Sequence, residues 1–331
     1  MKPRIALALA LAFNVILVAC TAAAPAAQPT AQPIKMVIAR TSGPASALLF
    51  IADDQGYLKA NGLDVEIRNY PSTADATNAL VAGEIVGAQP SAQIVNSLLG
   101  RGTDIKIAAV VSRNPRDMKV VGRSDMSGPA DLKGKKVAVV AGSASEFLMT
   151  SYLQSGKLAA TDVEFVKADP PEIVALMDRG DAQAFALWEP FPANALKIMG
   201  DKGKIVAYSE DLGYKGSLFQ VLSGKFLAAN PDAEARLMKS YADAEAFLKA
   251  NSDKALQIIA KASNLDVNVA KPLVDNGDYH LVADQDMINE LAKLGQWLKE
   301  VGQLKEVPDY TKAIDTSGLQ KVDPSRVTLK T

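Results

Sequence analysis

The chain has 331 residues, 48% of them hydrophobic and 22% charged, with a formal net charge of −1 at pH 7. It has no basic stripe, which excludes nucleic acid and anionic membrane surfaces as partners of the folded body. A single cysteine excludes an intramolecular disulfide, and a single histidine excludes a His-rich metal centre or a nucleophile served by a histidine cluster.

Lys2 and Arg4 precede the apolar run 5–19, broken only by Asn14, which has the flanks of a signal peptide and is short for a membrane span. Leu17-Val18-Ala19-Cys20 matches the lipobox of bacterial lipoproteins, so Cys20 is the expected lipidation site. Residues 21–33 are Ala, Pro, Gln and Thr without charge or large apolar side chains, and 20–34 reads as a flexible tether. Without the signal, 34 basic and 37 acidic residues remain, a formal charge of −3. The roughly 300 residues that follow exceed what one core usually holds, so two lobes are expected.

A strand over 34–39 leads to Thr41-Ser42-Gly43-Pro44, which opens a helix with Leu48, Leu49 and Ala52 inward and Gly56 and Gly62 beyond it. Next come a strand over 63–67, a helix capped by Ser72 or Thr73 and ending at Gly83, and a strand over 85–89. A helix from Ser91 bearing Ile94, Val95 and Leu98 and a strand over 105–111 follow. This strand–helix alternation predicts a mostly parallel sheet flanked by helices. Pro115 breaks the pattern, and a fresh strand over 118–122 marks the crossing to the second lobe.

Lys135 and Lys136 lead into the Val-rich run 137–141, which reads as a buried parallel strand. It stops at Gly142, and Ser143 or Ser145 caps a helix carrying Phe147, Leu148, Tyr152 and Leu153. The free N–H groups of that helix would point above the strand's C-terminal edge. Residues 128–136 superficially suggest a phosphate loop, but Lys135 is followed by Lys rather than Ser or Thr. After a strand over 162–166, Pro170-Pro171 begins a helix with Ile173, Leu176 and Met177 inward and Gly180 after it. A strand over 183–187 delivers Trp188-Glu189-Pro190 to the same crevice, with Pro190 suited to the first turn of the next helix. The strand over 204–208 continues the sheet and 217–222 crosses back. Residues 35–114 with 218–331 are thus expected to form one lobe and 115–217 the other.

The remainder turns helical. Asn230-Pro231 starts a helix with Leu237, Tyr241, Ala244, Phe247 and Leu248 on one face, and Ser252 begins another with Leu256, Ile259 and Ala260. A third follows Asp284, with Met287, Ile288, Leu291, Leu294, Leu298 and Val301 at helical spacing. These stripes read as packing surface over the first lobe, with no part in ligand contact. His280, in Tyr279-His280-Leu281, reads as structural.

Four features stand in a telling order: QGYLKANGLDVEI over 55–67, DLKGKKVAVVAGSASEF over 131–147, the Pro-started helix, and RGDAQAFALWEPF over 179–191. Over residues 36–225 or so, the chain is similar to the solute-binding proteins of ABC importers, in the branch that includes sulfonate, taurine, nitrate, pyrimidine-precursor and riboflavin binders. The resemblance implies an α/β, two-lobed periplasmic-binding-protein fold of type II with a helical C-terminal extension. It also implies a monomeric, non-catalytic protein without cofactor or metal. Its partners would be a small-molecule ligand and the transmembrane subunits of a permease with its ATPase, and it would be lipid-anchored at the outer face of the cytoplasmic membrane or in the periplasm. Where many members carry an Asp after Gly-Glu-Ile, this chain has Val86, so no role of that acid carries over. Two other readings stand beside it. Pyrimidine synthases share the fold but carry a cysteine-rich segment that is missing here, and a lipid-anchored sensor could use the same architecture.

The crevice-facing positions are strand ends and helix starts: Thr41, Ser42, Gln89, Ser91, Arg113, Asn114, Ser143, Ser145, Trp188 and Glu189. Arg113 is the one cation among them. Helix N-termini at Ser91 and Ser143 suit a sulfonate, but Glu189 would repel it. Trp188, with Phe147 unless that ring is core, offers a π-face, while Gln89, Asn114 and the serines offer hydrogen bonds. The favoured ligand on these residues is therefore a planar heterocycle, riboflavin or a thiamin-type pyrimidine, with sulfonate, taurine or nitrate as the alternative.

Overall fold

The computed structural model describes residues 32–40, 43–70 and 73–329. The signal, Cys20, most of the tether, Thr41, Ser42 and the Ser72 cap lie outside these residues.

The described strands are β1 (Ile34–Arg40), β2 (Leu63–Asn69), β3 (Gly87–Ala88), β4 (Ile105–Arg113), β5 (Met118–Arg123), β6 (Lys136–Val139), β7 (Glu164–Lys167), β8 (Ala184–Trp188), β9 (Gly203–Tyr208) and β10 (Ser217–Ser223). Between and after them run α1 (Ala47–Asp54), α2 (Tyr57–Ala60), α3 (Thr73–Ala82), α4 (Ala92–Gly100), α5 (Ala144–Ser155), α6 (Pro170–Arg179) and α7 (Phe191–Met199). The C-terminal part adds α8 (Gly224–Ala229), α9 (Ala233–Ala250), α10 (Ser252–Ser263), α11 (Val267–Asp275), α12 (Gln285–Glu300) and α13 (Ser317–Val322).

The strands form two five-stranded sheets, ordered β2-β1-β3-β10-β4 and β7-β6-β8-β5-β9. In the first sheet β1, β2 and β3 pair parallel, and β10 runs antiparallel between β3 and β4. In the second, β6, β7 and β8 pair parallel, and β5 runs antiparallel between β8 and β9. Each sheet thus has four strands in one direction and a single reversed one. The reversed strand is always the first that the chain makes on entering that sheet from the other. The reason is connectivity: parallel neighbours need a helical crossover, whereas β4 passes into β5 through only residues 114–117, with no helix to turn the chain around. The two halves therefore repeat one topology, a two-lobed α/β fold.

Most predicted strands are present, because apolar runs bounded by Gly, Pro and Ser are local signals. The strand expected over 85–89 is shorter: β3 is Gly87 and Ala88, with Val86 N donating to Val37 O (2.9 Å) and Ser223 N to Val86 O (2.8 Å) before it, and Pro90, which has no N–H to donate, follows Gln89. The second sheet keeps its own apolar cluster on one face, with Val121, Ala138, Ile173, Met177, Phe185 and Leu187 buried together. Helix α9 packs on α1 and α13, and α12 packs on α4, so these two cover the first sheet as the apolar stripes predicted. Helix α11 was not foreseen. Pro272 lies inside it and breaks the pattern read along the sequence, although Asp266 caps its start by accepting from Asn268 N.

Candidate functional site

The outgoing crossing between the sheets is held at both ends. Arg113 exchanges backbone hydrogen bonds with Asp278 (2.7 and 2.8 Å), which draws the segment after α11 against the end of β4. Ser209 Oγ and Glu210 N both donate to the Pro115 carbonyl, and Asn114 N donates to Gly216 O, stitching the outgoing crossing to the returning one. Gly216 has φ +62°, and a Cβ there would lie 2.8 Å from Asn114 O, so only glycine fits this close approach.

A crevice of about 580 Å³ opens beside this crossing. It is lined by Asn114, Arg116, Asp117 and Lys119 from the crossing and β5, by Glu189 and Ala193 at the start of α7, by Tyr208 of β9, and by Val269, Pro272, Leu273 and Asn276 of α11 and the residue after it. The apolar stripes of α9, α10 and α12 contribute no lining residue, whereas the unforeseen α11 forms one wall.

Lys119 Nζ donates to Glu189 Oε1 at 2.5 Å, and both side chains are nearly buried, at 10% and 7% exposure. Glu189 Oε2 also accepts from Ala193 N (3.2 Å) at the first turn of α7, and Glu189 N donates to the Asp117 carbonyl (3.2 Å). Glu189 is therefore committed to neutralising Lys119 and closing a helix end. Arg116 lies with its guanidinium 4.0 Å from the centre of the Tyr208 ring and 3.4 Å from Glu210, and is half-exposed. Asp117 is different. Its half-buried carboxylate accepts no hydrogen bond from the described residues, and its pKa is pushed up to about 7, first by desolvation and then by the Glu189 charge, with Lys119 opposing.

The second expected strand-end site, at α5, is filled by the chain itself. Ser143 caps the helix by accepting from Ser145 N (3.1 Å) and donates to the Val140 carbonyl (2.8 Å). Ser145 is fully buried, accepting from Val140 N (2.9 Å) and donating to Ala186 O (2.6 Å), so it ties the ends of β6 and β8 together. Glu146 folds back so that Gly142 N donates to its Oε2 (2.7 Å), and Lys167 pairs with it from outside (3.4 Å). The donors that a sulfonate would have used already face a carboxylate. Phe147 is buried edge-on between Tyr214 and Trp297, at 5.6 and 5.4 Å, as a packing residue.

Of the other sequence candidates, Gln89 is buried and donates to Gln220 and Tyr241, while Ser91 bridges to Leu218 at the start of α4. Arg113, read as the crevice cation, is paired with Asp284 at 2.7 Å, the residue that caps α12. Trp188 meets Phe191 edge-on at 6.3 Å and is not among the crevice-lining residues. Asn114 and Glu189 alone among the described candidates line the crevice together. Arg116, Asp117, Lys119 and Tyr208 were missed. The run Arg116-Asp117 directly after the predicted strand end, and a lysine within an apolar strand, were the available signals.

His280 joins a different cluster. Its Nδ1 lies 2.9 Å from Glu245 Oε1, and the buried Glu245 also holds Lys249, Leu281 N and Arg326. Desolvation acts to raise this carboxyl's pKa, but these donors outweigh it and hold it near 2. That is a structural anchor for the C-terminal segment.

Among the described residues no helix is long and apolar enough to cross a membrane. The family model described as NMT1/THI5 like matches residues 43–255. The taurine-binding periplasmic protein of Escherichia coli (strain K12) is 25% identical over 289 residues, covering 81% of this chain and 87% of that protein. Among solved structures, the periplasmic aliphatic sulphonate binding protein SsuA from Escherichia coli superposes with a TM-score of 0.75 at 19% identity, covering 86% of this chain and 92% of that one. The alkanesulfonate-binding protein SsuA from Xanthomonas axonopodis pv. citri, bound to MOPS, gives a TM-score of 0.72 at 20% identity, covering 86% and 99%. At these identities the structural likeness concerns the fold.

Proposed function

The chain belongs to the NMT1/THI5-like family, and we propose that it is the solute-binding protein of an ABC importer that captures a small sulfonate-type solute in the crevice beside Arg116. The observation that carries this reading is the crevice itself: a cavity of about 580 Å³ at the crossing between the sheets, lined in part by the half-exposed guanidinium of Arg116, whose pairing with Glu210 is a surface one. A planar, bidentate donor of this kind suits an oxyanion. The taurine-binding relative supports the same class. A flat heterocycle such as riboflavin or a thiamin-type pyrimidine fits less well, because Trp188, the ring that was to stack on it, meets Phe191 and does not line the crevice, and Phe147 is core.

Titration calorimetry with taurine, ethanesulfonate, nitrate, riboflavin and an aminopyrimidine tests the reading. A sulfonate is expected to bind and to be recovered unchanged, and Arg116→Ala to weaken it about tenfold. Binding of riboflavin or the pyrimidine without any sulfonate would overturn the sulfonate class, and chemical conversion of the bound solute would overturn the non-catalytic role.

The proposed anchor is a lipid on Cys20, with the residues after it as the tether. Cells expressing Cys20→Ser should release the protein from the membrane fraction or retain it unprocessed; unchanged fractionation and processing would remove the lipid from the account.

A further inference from the structure

We infer that Asp117, backed by Tyr279 behind the crevice lining, selects solutes that carry an amine or a comparable cluster of N–H donors, so that the crevice discriminates an amine-bearing ligand from a plain anion. The inference rests on the crevice being the ligand site, as proposed above.

The Asp117 carboxylate, half-buried in the crevice wall, has no hydrogen-bond donor among the described residues. Buried polar groups in folded proteins are almost always partnered, and an isolated carboxylate out of water is costly. The nearest ammonium, that of Lys119, is spent on Glu189 and on the Asp117 main-chain carbonyl (3.4 Å). Tyr279 is 6% exposed, and its hydroxyl has no partner, although it is near enough for the Asp117 charge to raise its pKa further. The segment bearing Tyr279 is tied to the crossing through the Arg113–Asp278 backbone pair, which brings the Tyr279 hydroxyl near Asp117, behind the crevice lining.

An ammonium or an amino-substituted ring supplies the donors that Asp117 lacks and an opposite charge beside it. A plain sulfonate supplies neither and brings its negative charge beside that of Asp117, which, unlike Glu189, has no cation paired to it. The titratable and charged groups around the Asp117 carboxylate are Arg116 on the crossing, Lys119 on β5, Glu189 after β8, Tyr208 on β9, Tyr214 on the returning crossing and Tyr279 after α11. Burial places the titration of Asp117 at about 7, inside an accessible range. Deprotonation should therefore strengthen binding of an amine and weaken binding of a plain anion.

The test is calorimetry on the full chain with taurine, ethanesulfonate and 4-amino-5-hydroxymethyl-2-methylpyrimidine, between about pH 5.5 and about pH 8. Taurine affinity is expected to rise about tenfold across this range while that of ethanesulfonate falls, and Asp117→Asn should flatten both profiles and cost taurine about 30-fold at the upper pH. Tyr279→Phe, which keeps the carboxylate, should cost severalfold and serves if Asp117→Asn fails to fold. Equal affinities and parallel profiles for taurine and ethanesulfonate would overturn the selection while leaving the crevice as the sulfonate site. Binding of the aminopyrimidine alone, lost in Asp117→Asn, would sink the sulfonate reading and support the selection. No binding by any of the three would overturn both.

Discussion

At the end of β6, the hydroxyls of Ser143 and Ser145 and the carboxylate of Glu146 all bond to other atoms of the chain. In the crossing after β4, the carboxylate of Asp117 finds no donor among the described residues, and the hydroxyl of Tyr279, on the segment paired with the end of β4, has no partner. The first place is a strand end leading into a helix, the second the crossing between the two sheets. A strand leading into a capped helix makes an anion site only when nothing in the chain reaches back to it, and at α5 Glu146 lies four residues from the Gly142 N–H that it accepts. The crossing has no such internal partner. A binding site is marked less by how many polar residues converge than by which of them are left without partners.

Two substitutions press on that contrast. The larger effect is expected at the crossing, where Glu189→Gln leaves the nearly buried Lys119 without its counter-charge and loosens the first turn of α7. Removing one member of such a pair costs about 3 kcal/mol, seen as a lower denaturant midpoint together with weaker ligand binding. An unchanged midpoint would mean that the pair is not the lock the geometry describes. The smaller effect belongs to the β6 end. Ser145→Ala strands the Val140 N–H and the Ala186 carbonyl and should cost about 2 kcal/mol in stability while leaving ligand affinity unaltered. A loss of affinity without a loss of stability would reverse the roles assigned to the two strand ends.

Much of the architecture was legible before the structure. The apolar run ending at Gly142, the caps at Ser143 and Asp284, the helix begun by Pro170 and the strand over 217–222 that crosses back all appear where the residue pattern put them. The site was legible only in part. Arg113 looked like the ligand cation because it ends a strand, but its partner Asp284 lies 171 residues further on. Trp188 looked like a stacking surface, but it meets Phe191 edge-on and does not line the crevice, while Phe147, for which the core was the alternative, is core. Lys119 was hidden inside an apolar strand, and α11 behind its own proline.

The sequence by itself determined the strand–helix alternation, the two crossings and the helical ending, because periodicity, caps and breakers act within a few residues along the chain. Only the tertiary structure decided which charges cancel and which stay open. Lys119 meets Glu189 across 70 residues, and Tyr279 reaches the neighbourhood of Asp117 only because the segment after α11 pairs with the end of β4. Hydrogen-bond and charge satisfaction in a half-buried crevice is a property of pairs distant in sequence, and no local pattern encodes which member of such a set will be left without a partner.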